Sequence, residues 1–275
     1  MDSSLSAIAK HNFQALGVEV QTINAEASEV LNTMDPAATI YIDPARRSDD
    51  NTKVVSLERY TPNVIELLED IQFKTHRIIL KVSPLFDITA GLRQLSRVLS
   101  VHVLAIDNEV KEVLFVMDRD ATEATFHAVE LGKQPQSVTF SGQDLRSADR
   151  FGEIGDYLYE PHAAIMKLGA WAGVSSQRNL HKIAPQSHLY TSKTLQDNLM
   201  GRTFKVLEVI EYKPKRIKSV LPNPAHIATR NFPEKAQQIR SRFKLKDGGN
   251  HYLFFTTDST GKKIVIVCEK TAPAA

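Results

Sequence analysis

The sequence predicts an α/β fold for the first 120 residues and small α+β domains for the rest. Short apolar stretches alternate with amphipathic helical patterns over most of this first part, which is typical of a doubly wound sheet with parallel strands. Two further apolar stretches, 101–106 and 112–117, are joined by a short loop and predict an antiparallel hairpin that closes the sheet. From residue 121 onward the regular alternation stops, so we expect smaller mixed domains there.

The elements of the first part follow from apolar residues that recur at helical or strand spacing. Residues 77–84 are nearly all apolar, as expected for a strand buried on both faces. In order, we predict a helix carrying Leu5 to Leu16 and ending at Gly17, a strand at 18–23, a helix at 27–33, a strand at 39–43, a helix opened by Pro62, the strand at 77–84 and a helix carrying Ile88 to Leu99.

The second part of the chain has a different pattern of shorter elements. We predict a strand at 137–140, a helix after Pro161, a turn or strand at 188–192, a strand at 204–210, a basic helix or loop at 213–222, a helix starting near Pro233, and a hairpin of 251–257 with 262–270. We therefore divide the chain into three domains, 1–120, 121–202 and 203–275.

Composition narrows the class of protein. Hydrophobic residues make up 42% of the 275 residues and charged residues 24%, the range of a globular protein. No apolar run approaches the ~18 residues that span a bilayer, and the N-terminus lacks the features of a signal peptide, so we expect no membrane association and a cytoplasmic location. Cys268 is the only cysteine, which excludes an intrachain disulfide and a cysteine-based zinc site. His162, His181 and His188 lack the spacing of a metal-binding pair, so no metal is expected.

Charge is distributed unevenly although the net charge is only +2. Residues 201–270 hold 15 lysines and arginines against 6 aspartates and glutamates, whereas residues 1–200 hold 19 against 26. Such an asymmetry indicates an anionic partner for the C-terminal part, or else a solvated basic surface.

Candidate site residues lie where the predicted strands end, because ligands of open parallel sheets bind at the carboxyl ends of the strands. These residues are Asn24, Ala25 and Glu26 after the first strand, Asp43, Pro44, Ala45, Arg46 and Arg47 after the second, and Lys81, Ser83 and Pro84 after the third. A proline restricts the residue before it to extended conformations, so Asp43–Pro44 predicts a rigid turn whose oxygens face the crevice. A plain strand-ending turn is the alternative, and it is our interpretation of the second such dipeptide, Asp35–Pro36.

Several stretches resemble a known family. The stretches IYIDPARR (40–47), SLERYTPNVIELL (56–68), ILKVSPLFDI (79–88) and EVKEVLFV (109–116) resemble a bacterial, Bacteroidetes-type family of class I S-adenosylmethionine-dependent methyltransferases with a THUMP-like C-terminal domain. The later stretches YLYEPHAAIMKLGA (157–170), HLYTS (188–192), MGRTF (200–204), TRNFP (229–233) and LKDGGNHYLFFTT (245–257) resemble its C-terminal half. The resemblance covers nearly the whole chain.

The resemblance implies roles for the strand-end residues. Asp43, Pro44 and Arg46 would be catalytic, at the meeting point of methyl donor and substrate. Asn24, Glu26 and Asp43 would contact the S-adenosylmethionine, and Arg47 and Lys81 the substrate. The resemblance also implies a Rossmann-like sheet that begins with a strand and a glycine-rich cofactor loop. This chain opens on a helix, so we expect that it is N-terminally truncated and lacks that loop.

The basic C-terminal residues are candidates for binding RNA, since THUMP-like domains are associated with structured RNA. The candidates are Lys213, Lys215, Arg216, Arg230, Arg240 and Arg242, with Lys218, Lys244 and Lys246 nearby. Tyr212, Phe232 and Phe243 lie among them and either stack on bases or belong to the core. The sequence therefore predicts a methyltransferase acting on RNA, with a non-catalytic RNA-binding or adaptor protein as the alternative.

Overall fold

The computed structural model describes residues 3–46 and 56–271, and none of the helices in these ranges is long and apolar enough to cross a membrane. The chain divides into two compact units, Met1–His102 with Glu112–Ala124, and Val103–Lys111 with Thr125–Ala275. Helices accompany two β-sheets that each contain parallel and antiparallel pairs, so the predicted α/β class is confirmed as mixed α/β.

The first unit contains most of the predicted alternation of helices and strands. Its helices are α1 (Ser3–Ala15), α2 (Ala27–Thr33), α3 (Val64–Lys74) and α4 (Ile88–Gln94), with a 3-10 turn at Leu57–Arg59. Its strands are β1 (Thr39–Ile42), β2 (Ala45–Arg46), β3 (Tyr60–Thr61), β4 (Arg77–Val82), β5 (Val98–Ile106) and β6 (Glu109–Asp118), of which β5 and β6 continue into the second unit.

The sheet of the first unit follows the order β1, β4, β6, β5. Strands β1 and β4 are parallel, whereas β6 is antiparallel to β4. Leu80 on β4, Val101 on β5 and Phe115 on β6 are completely buried. Asn63 and Asp87 cap helices α3 and α4 through side-chain oxygens that accept backbone N–H groups. The predicted hairpin is confirmed: Asp107 and Asn108 both have positive φ and join β5 to the neighbouring β6.

Two predictions for the first unit are wrong. Residues 18–23 are not a strand, because a strand needs a neighbour for its backbone groups and the part of the chain that the structure describes provides none. Val18, Val20 and Ile23 are accordingly exposed. Leu99 belongs to β5 rather than to a helix, since α4 ends at Gln94 and Arg97, with φ of 55°, redirects the chain.

The second unit contains the remaining elements. Its helices are α5 (Gly142–Arg146), α6 (Ala163–Leu168), α7 (Trp171–Arg178), α8 (Pro214–Ile217) and α9 (Ala236–Phe243). Its strands are β7 (Thr125–Glu130), β8 (Gln136–Ser141), β9 (Tyr157–Pro161), β10 (His181–Lys182), β11 (Tyr190–Ser192), β12 (Gly201–Glu211), β13 (His226–Arg230), β14 (His251–Thr257) and β15 (Lys263–Lys270).

A seven-stranded sheet with the order β10, β11, β9, β12, β15, β14, β13 organises this unit. The predicted hairpin of 251–257 with 262–270 is confirmed as β14 and β15. Leu253 and Phe255 pack into one apolar cluster and Phe254 into another, so both faces of β14 are buried. This explains why its sequence is continuously apolar. The sheet takes strands from the predicted domains 121–202 and 203–275, and the three-domain division stays a prediction.

Candidate active site

Strand β1 ends at Ile42, which lies opposite Leu80 near the end of the parallel strand β4. The residues that follow these positions, Asp43 and Lys81, therefore meet at one edge of the sheet. The Asp43 Oδ2 atom lies 2.5 Å from the Lys81 Nζ atom. The structure thus brings together two residues that the sequence placed at separate strand ends.

Glu112 joins this pair from the antiparallel strand β6. Its Oε1 atom lies 3.6 Å from the Lys81 Nζ atom. We call Asp43, Lys81 and Glu112 the strand-end cluster. Glu112 was not predicted from the sequence, although it lies in the stretch EVKEVLFV, because its position depends on the pairing of β6 with β4.

The cluster carries one positive and two negative charges near neutral pH. The hydrogen bond to Asp43 raises the pKa of Lys81; burial opposes this rise, and the charges of Asp43 and Glu112 add to it. Lys81 therefore stays protonated. Burial raises the pKa of the neighbouring Tyr41, which Lys81 lowers in part, so the phenol stays neutral. A net charge of about −1 at this edge suits a cationic or hydrogen-bond-donating group.

The turn after Asp43 is anchored on both sides. Pro44 is buried. Ala45 and Arg46 form β2, which pairs with β3 so that Ala45 lies opposite Thr61. The structure describes only the backbone of Arg46, and Arg47 lies outside the described residues. The roles expected for these two arginines stay predictions.

The first predicted strand end is not a strand end. Asn24 is exposed in an irregular segment, and Glu26 is the exposed N-cap residue of α2. The geometric reason for grouping them with Asp43 is therefore absent, and their role in cofactor binding stays a prediction. At the third strand end, the Ser83 hydroxyl accepts the N–H of Leu85, and the Ser83 carbonyl accepts that of Phe86. Ser83 and Pro84 thus form a strand-ending turn.

An apolar cavity of about 260 Å³ lies beside β1. It is formed by one face of the strand together with helices α2 and α3. Its lining includes Val30, Leu31, Met34, Ile40, Ile42 and Leu67. Tyr41 and Ile42, which line this cavity, immediately precede Asp43 in the chain, whereas none of the three cluster residues lines it.

Most of the basic residues predicted to bind RNA have carboxylate partners. Ion pairs join Lys213 to Glu211 at 2.6 Å, Arg240 to Asp247 at 2.7 Å, Arg242 to Glu234 at 2.8 Å, and Arg230 to Glu160. Lys215 is exposed, and no ion pair of its side chain occurs among the described residues. The structure describes only the backbone of Arg216. The sequence alone does not show that these basic side chains are neutralised, because the carboxylates that pair with them lie outside the helix or strand of each basic residue.

The aromatic residues of this region belong to the core rather than to an exposed stacking surface. Phe243 is buried, and Phe232 packs against the same apolar cluster. The ring of Tyr212 lies 5.0 Å from that of Phe232 and edge-on to it. Among the described residues, no group of three or more histidine, cysteine, aspartate or glutamate side chains is arranged to hold a metal ion.

Comparisons with known proteins relate this chain to two domain families and to one solved structure. Residues 201–270 match a family model described as THUMP domain-like, and residues 157–199 match one described as a ferredoxin-like domain. No curated protein matches the chain significantly. The chain superposes on a crystal structure described as a "putative methyltransferase from Porphyromonas gingivalis W83" with a TM-score of 0.89 and 32% identity, covering 98% of this chain and 70% of that one. At that identity over that share of both chains, the protein belongs to the family of this Porphyromonas gingivalis protein.

Proposed function

We propose that this chain is part of an S-adenosylmethionine-dependent methyltransferase that acts on RNA. The observation that carries the proposal is the strand-end cluster, in a chain whose relative is described as a methyltransferase. The parallel pair β1 and β4, followed by the antiparallel strand β6, supports a Rossmann-like class I arrangement. The proposed domain boundaries are those predicted above, 1–120, 121–202 and 203–275.

The strand-end cluster and the apolar cavity beside β1 have the charge and the space to accommodate part of S-adenosylmethionine. S-adenosylmethionine supplies a methyl group activated by a positive sulfonium, and the net negative charge of the strand-end cluster favours such a group. The apolar cavity beside β1 offers space for an aromatic ring close to Asp43. Helix α2 forms one wall of that cavity, and Asn24 and Glu26 come just before this helix. They therefore remain candidates for contacting the cofactor.

In this proposal the cluster positions the substrate rather than moving protons. The Asp43 carboxylate accepts a hydrogen bond from the N–H of the acceptor base once Lys81 gives way, and the anchored turn at Pro44 fixes the carboxylate. The only cysteine of this chain, Cys268, is completely buried within β15, so the chain places no cysteine nucleophile of the kind used in carbon-5 pyrimidine methylation at the strand-end cluster. We therefore expect methylation of a nitrogen.

RNA as the substrate is supported by two properties of the C-terminal part. Residues 201–270 match a THUMP domain-like model and hold the excess of basic residues. RNA-binding candidates remain Lys81 in the cluster, Arg47, which lies outside the described residues, and the basic residues of the C-terminal part. Of these basic residues, Lys215 has no ion pair within the described ranges.

Calorimetry with S-adenosylmethionine tests the proposal directly. We expect any binding to be weaker in the Asp43→Asn variant. Binding to this chain in the micromolar range would contradict the prediction that it lacks the glycine-rich cofactor loop. A second function, that of a non-catalytic RNA-binding adaptor, is favoured by the exposed position of Glu26 and by the missing strand at 18–23. Salt-dependent RNA binding without any cofactor binding or methyl transfer would establish the adaptor instead.

A further inference from the structure

Three sequence stretches that are far apart in the chain meet at one buried carboxylate. Glu160 comes from YLYEPHAAIMKLGA, Arg202 from MGRTF and Arg230 from TRNFP. The Glu160 Oε2 atom accepts the Nε–H of Arg202 at 2.7 Å and a second N–H from its Nη2 atom. The Oε1 atom accepts an N–H from Nη2 of Arg230. We call these three residues the arginine pair site.

The curvature of the sheet creates this site. Arg202 lies directly opposite Glu160 in the pairing of β12 with β9. Arg230, however, ends the edge strand β13, which is four strands away from β9 in the sheet. In a flat sheet four strand spacings amount to roughly 19 Å, too far for the side chains of an arginine and a glutamate to meet. The sheet must therefore be curved strongly enough that Arg230, at the end of its edge strand, contacts Glu160.

The charges in the site do not cancel. Glu160 is only 6% exposed, and one arginine would neutralise it. Two are present, and their side chains are 41% and 42% exposed, so the site keeps a net charge of about +1 at the surface. Each guanidinium has five N–H donors, and the contacts with Glu160 and with the Thr229 carbonyl occupy only some of them. The remaining donors can face a solvent-borne anion.

Polar and aromatic groups lie near Arg230. His188, from the stretch HLYTS, lies within electrostatic range of Arg230, Lys182 and Asp149, and its Nδ1 atom is buried without a hydrogen-bond partner among the described residues. Lys182 is buried and paired with Asp149 at 2.8 Å. The half-exposed ring of Trp171 lies 4.6 Å from the His188 ring, and the ammonium of Lys182 lies 5.6 Å from the Trp171 ring. An aromatic surface near the net positive charge of the arginine pair site suits a nucleotide, which has a phosphate and a base.

We propose that Arg202 and Arg230, held in place by Glu160, bind a phosphate group of RNA, with the Trp171 ring available to stack on a neighbouring base. Planar guanidinium groups match phosphate oxygens in paired hydrogen bonds. The proposal rests on the RNA-binding function proposed above and gives it a specific site. It differs from the basic surface predicted by the sequence, because these arginines are oriented by a buried carboxylate.

Binding of a short fluorescein-labelled single-stranded RNA, followed by anisotropy over a series of KCl concentrations, tests the site. The unaltered chain is compared with Glu160→Gln, Arg230→Gln and the control Lys205→Gln, which removes an exposed cation from the opposite face of β12. Melting temperatures establish that each variant is folded. Glu160→Gln keeps the shape of the side chain and one acceptor oxygen that can still orient a guanidinium group, while it raises the local charge from about +1 to about +2. We therefore expect tighter binding of the RNA.

The salt dependence supplies the second measurement. Arg230→Gln should reduce the slope of log K against log salt by about 0.7, the value for one lost contact with a single-stranded phosphate, while Lys205→Gln leaves the slope unchanged. The proposed phosphate site is wrong if the folded Glu160→Gln variant binds RNA no more tightly than the unaltered chain. It is also wrong if the salt slopes of Arg230→Gln and Lys205→Gln fall equally. In both cases the proposal that the chain binds RNA is unaffected. If Glu160→Gln does not fold, the comparison of slopes alone decides. If the unaltered chain binds no RNA, the proposed function and this site both fail.

Discussion

The ammonium group of Lys81 lies 2.5 Å from the carboxylate of Asp43, although Asp43 follows β1 and Lys81 lies near the end of β4. The pair forms because β1 and β4 are parallel, so that the residues after Ile42 and Leu80, which lie opposite each other, are neighbours. Asp43 is half-exposed and Lys81 is also within reach of Glu112. A substrate amine can therefore take the place of Lys81 at Asp43, while Lys81 keeps Glu112 as a partner.

Replacing Asp43 by asparagine should abolish methyl transfer without unfolding the protein. The amide keeps the shape of the side chain but has only one acceptor oxygen and no charge, so the acceptor base loses its fixed position, an effect of about a hundredfold or more. The measurement is transfer of a radiolabelled methyl group to RNA. Asp35→Asn, in the other Asp-Pro dipeptide, is the matched control and should keep full activity. Wild-type rates in Asp43→Asn would remove Asp43 from the mechanism.

Replacing Lys81 by methionine should have little effect on stability. The pair with Asp43 is partly open to water, and such ion pairs contribute about 0–1 kcal/mol. Urea denaturation should therefore give a free energy of unfolding within about 1 kcal/mol of the unaltered protein. A loss of several kcal/mol would mean that the cluster supports the fold rather than the substrate.

Replacing Gly201 by alanine should destabilise the second unit. Gly201 has φ of 155°, and a Cβ atom there would overlap the carbonyl oxygen of Glu160 and lie 3.0 Å from the Pro161 Cα atom. We expect a loss of about 2 kcal/mol or more, measured by urea denaturation. Gly248→Ala is the control, because Gly248 also has positive φ but has open space around its Cβ position. Equal losses in both variants would show that backbone conformation, not the close approach of β12 to β9, dominates.

Stability should fall between about pH 7.5 and about pH 5.5 in a manner that depends on His162. Burial lowers the pKa of His162, and its hydrogen bond to Glu130 only partly offsets this. The unfolded chain, with an ordinary histidine pKa of 6.5, therefore binds the proton more readily, and stability is lost as the pH falls through that value. Burial raises the pKa of Glu130, but its hydrogen bonds lower it further, so the net pKa is lowered. Protonation of Glu130 therefore affects stability only at more acidic pH.

The His162→Asn variant tests this contribution by thermal melting at each pH. Asparagine can cap α6 as His162 does, but it does not titrate. We expect a shallower decline of the melting temperature than in the unaltered protein. Burial also lowers the pKa of His127 and His188, so part of the decline should persist. An unchanged decline would show that His162 does not titrate in this range.

Two neighbouring lysines should differ in their contribution to RNA binding. Lys213 is paired with Glu211 at 2.6 Å, whereas Lys215 is exposed and has no ion pair within the described ranges. Lys215→Gln should therefore reduce the salt slope of RNA binding by about 0.7, and Lys213→Gln should leave it unchanged. Equal slopes in the two variants would show that local ion pairs do not select which cations contact the RNA.

Local patterns predicted most of the elements because helices and strands bury residues at their own regular spacing. The helix after Pro62, the strand at 77–84 and the hairpin of 251–257 with 262–270 are examples that the structure confirms. The strand at 18–23 failed because its alternating pattern needs a neighbouring strand, and the described chain does not supply one. Pattern alone also missed the edge strand β13, whose residues are only partly buried.

In the candidate site, too, some residues were predictable from local pattern and others depend on the tertiary structure. Asp43 and Lys81 were predicted because the carboxyl ends of parallel strands coincide, which depends on strand direction alone. Glu112 depends on the pairing of an antiparallel strand, and the neutralisation of Arg240 and Arg242 depends on carboxylates that only the folded chain brings near. Side-chain partners of this kind are set by register and curvature, which a linear pattern does not encode.

By itself the sequence determined the α/β class, the positions of most elements and the strand ends where Asp43 and Lys81 lie, because periodicity and turn chemistry act over a few residues. Only the tertiary structure decided that Glu160, Arg202 and Arg230 share one site. Their meeting depends on the pairing of β9 with β12 and on the curl that carries the end of β13 to Glu160. Contacts between residues far apart in the chain follow from the packing of the whole sheet rather than from any local preference.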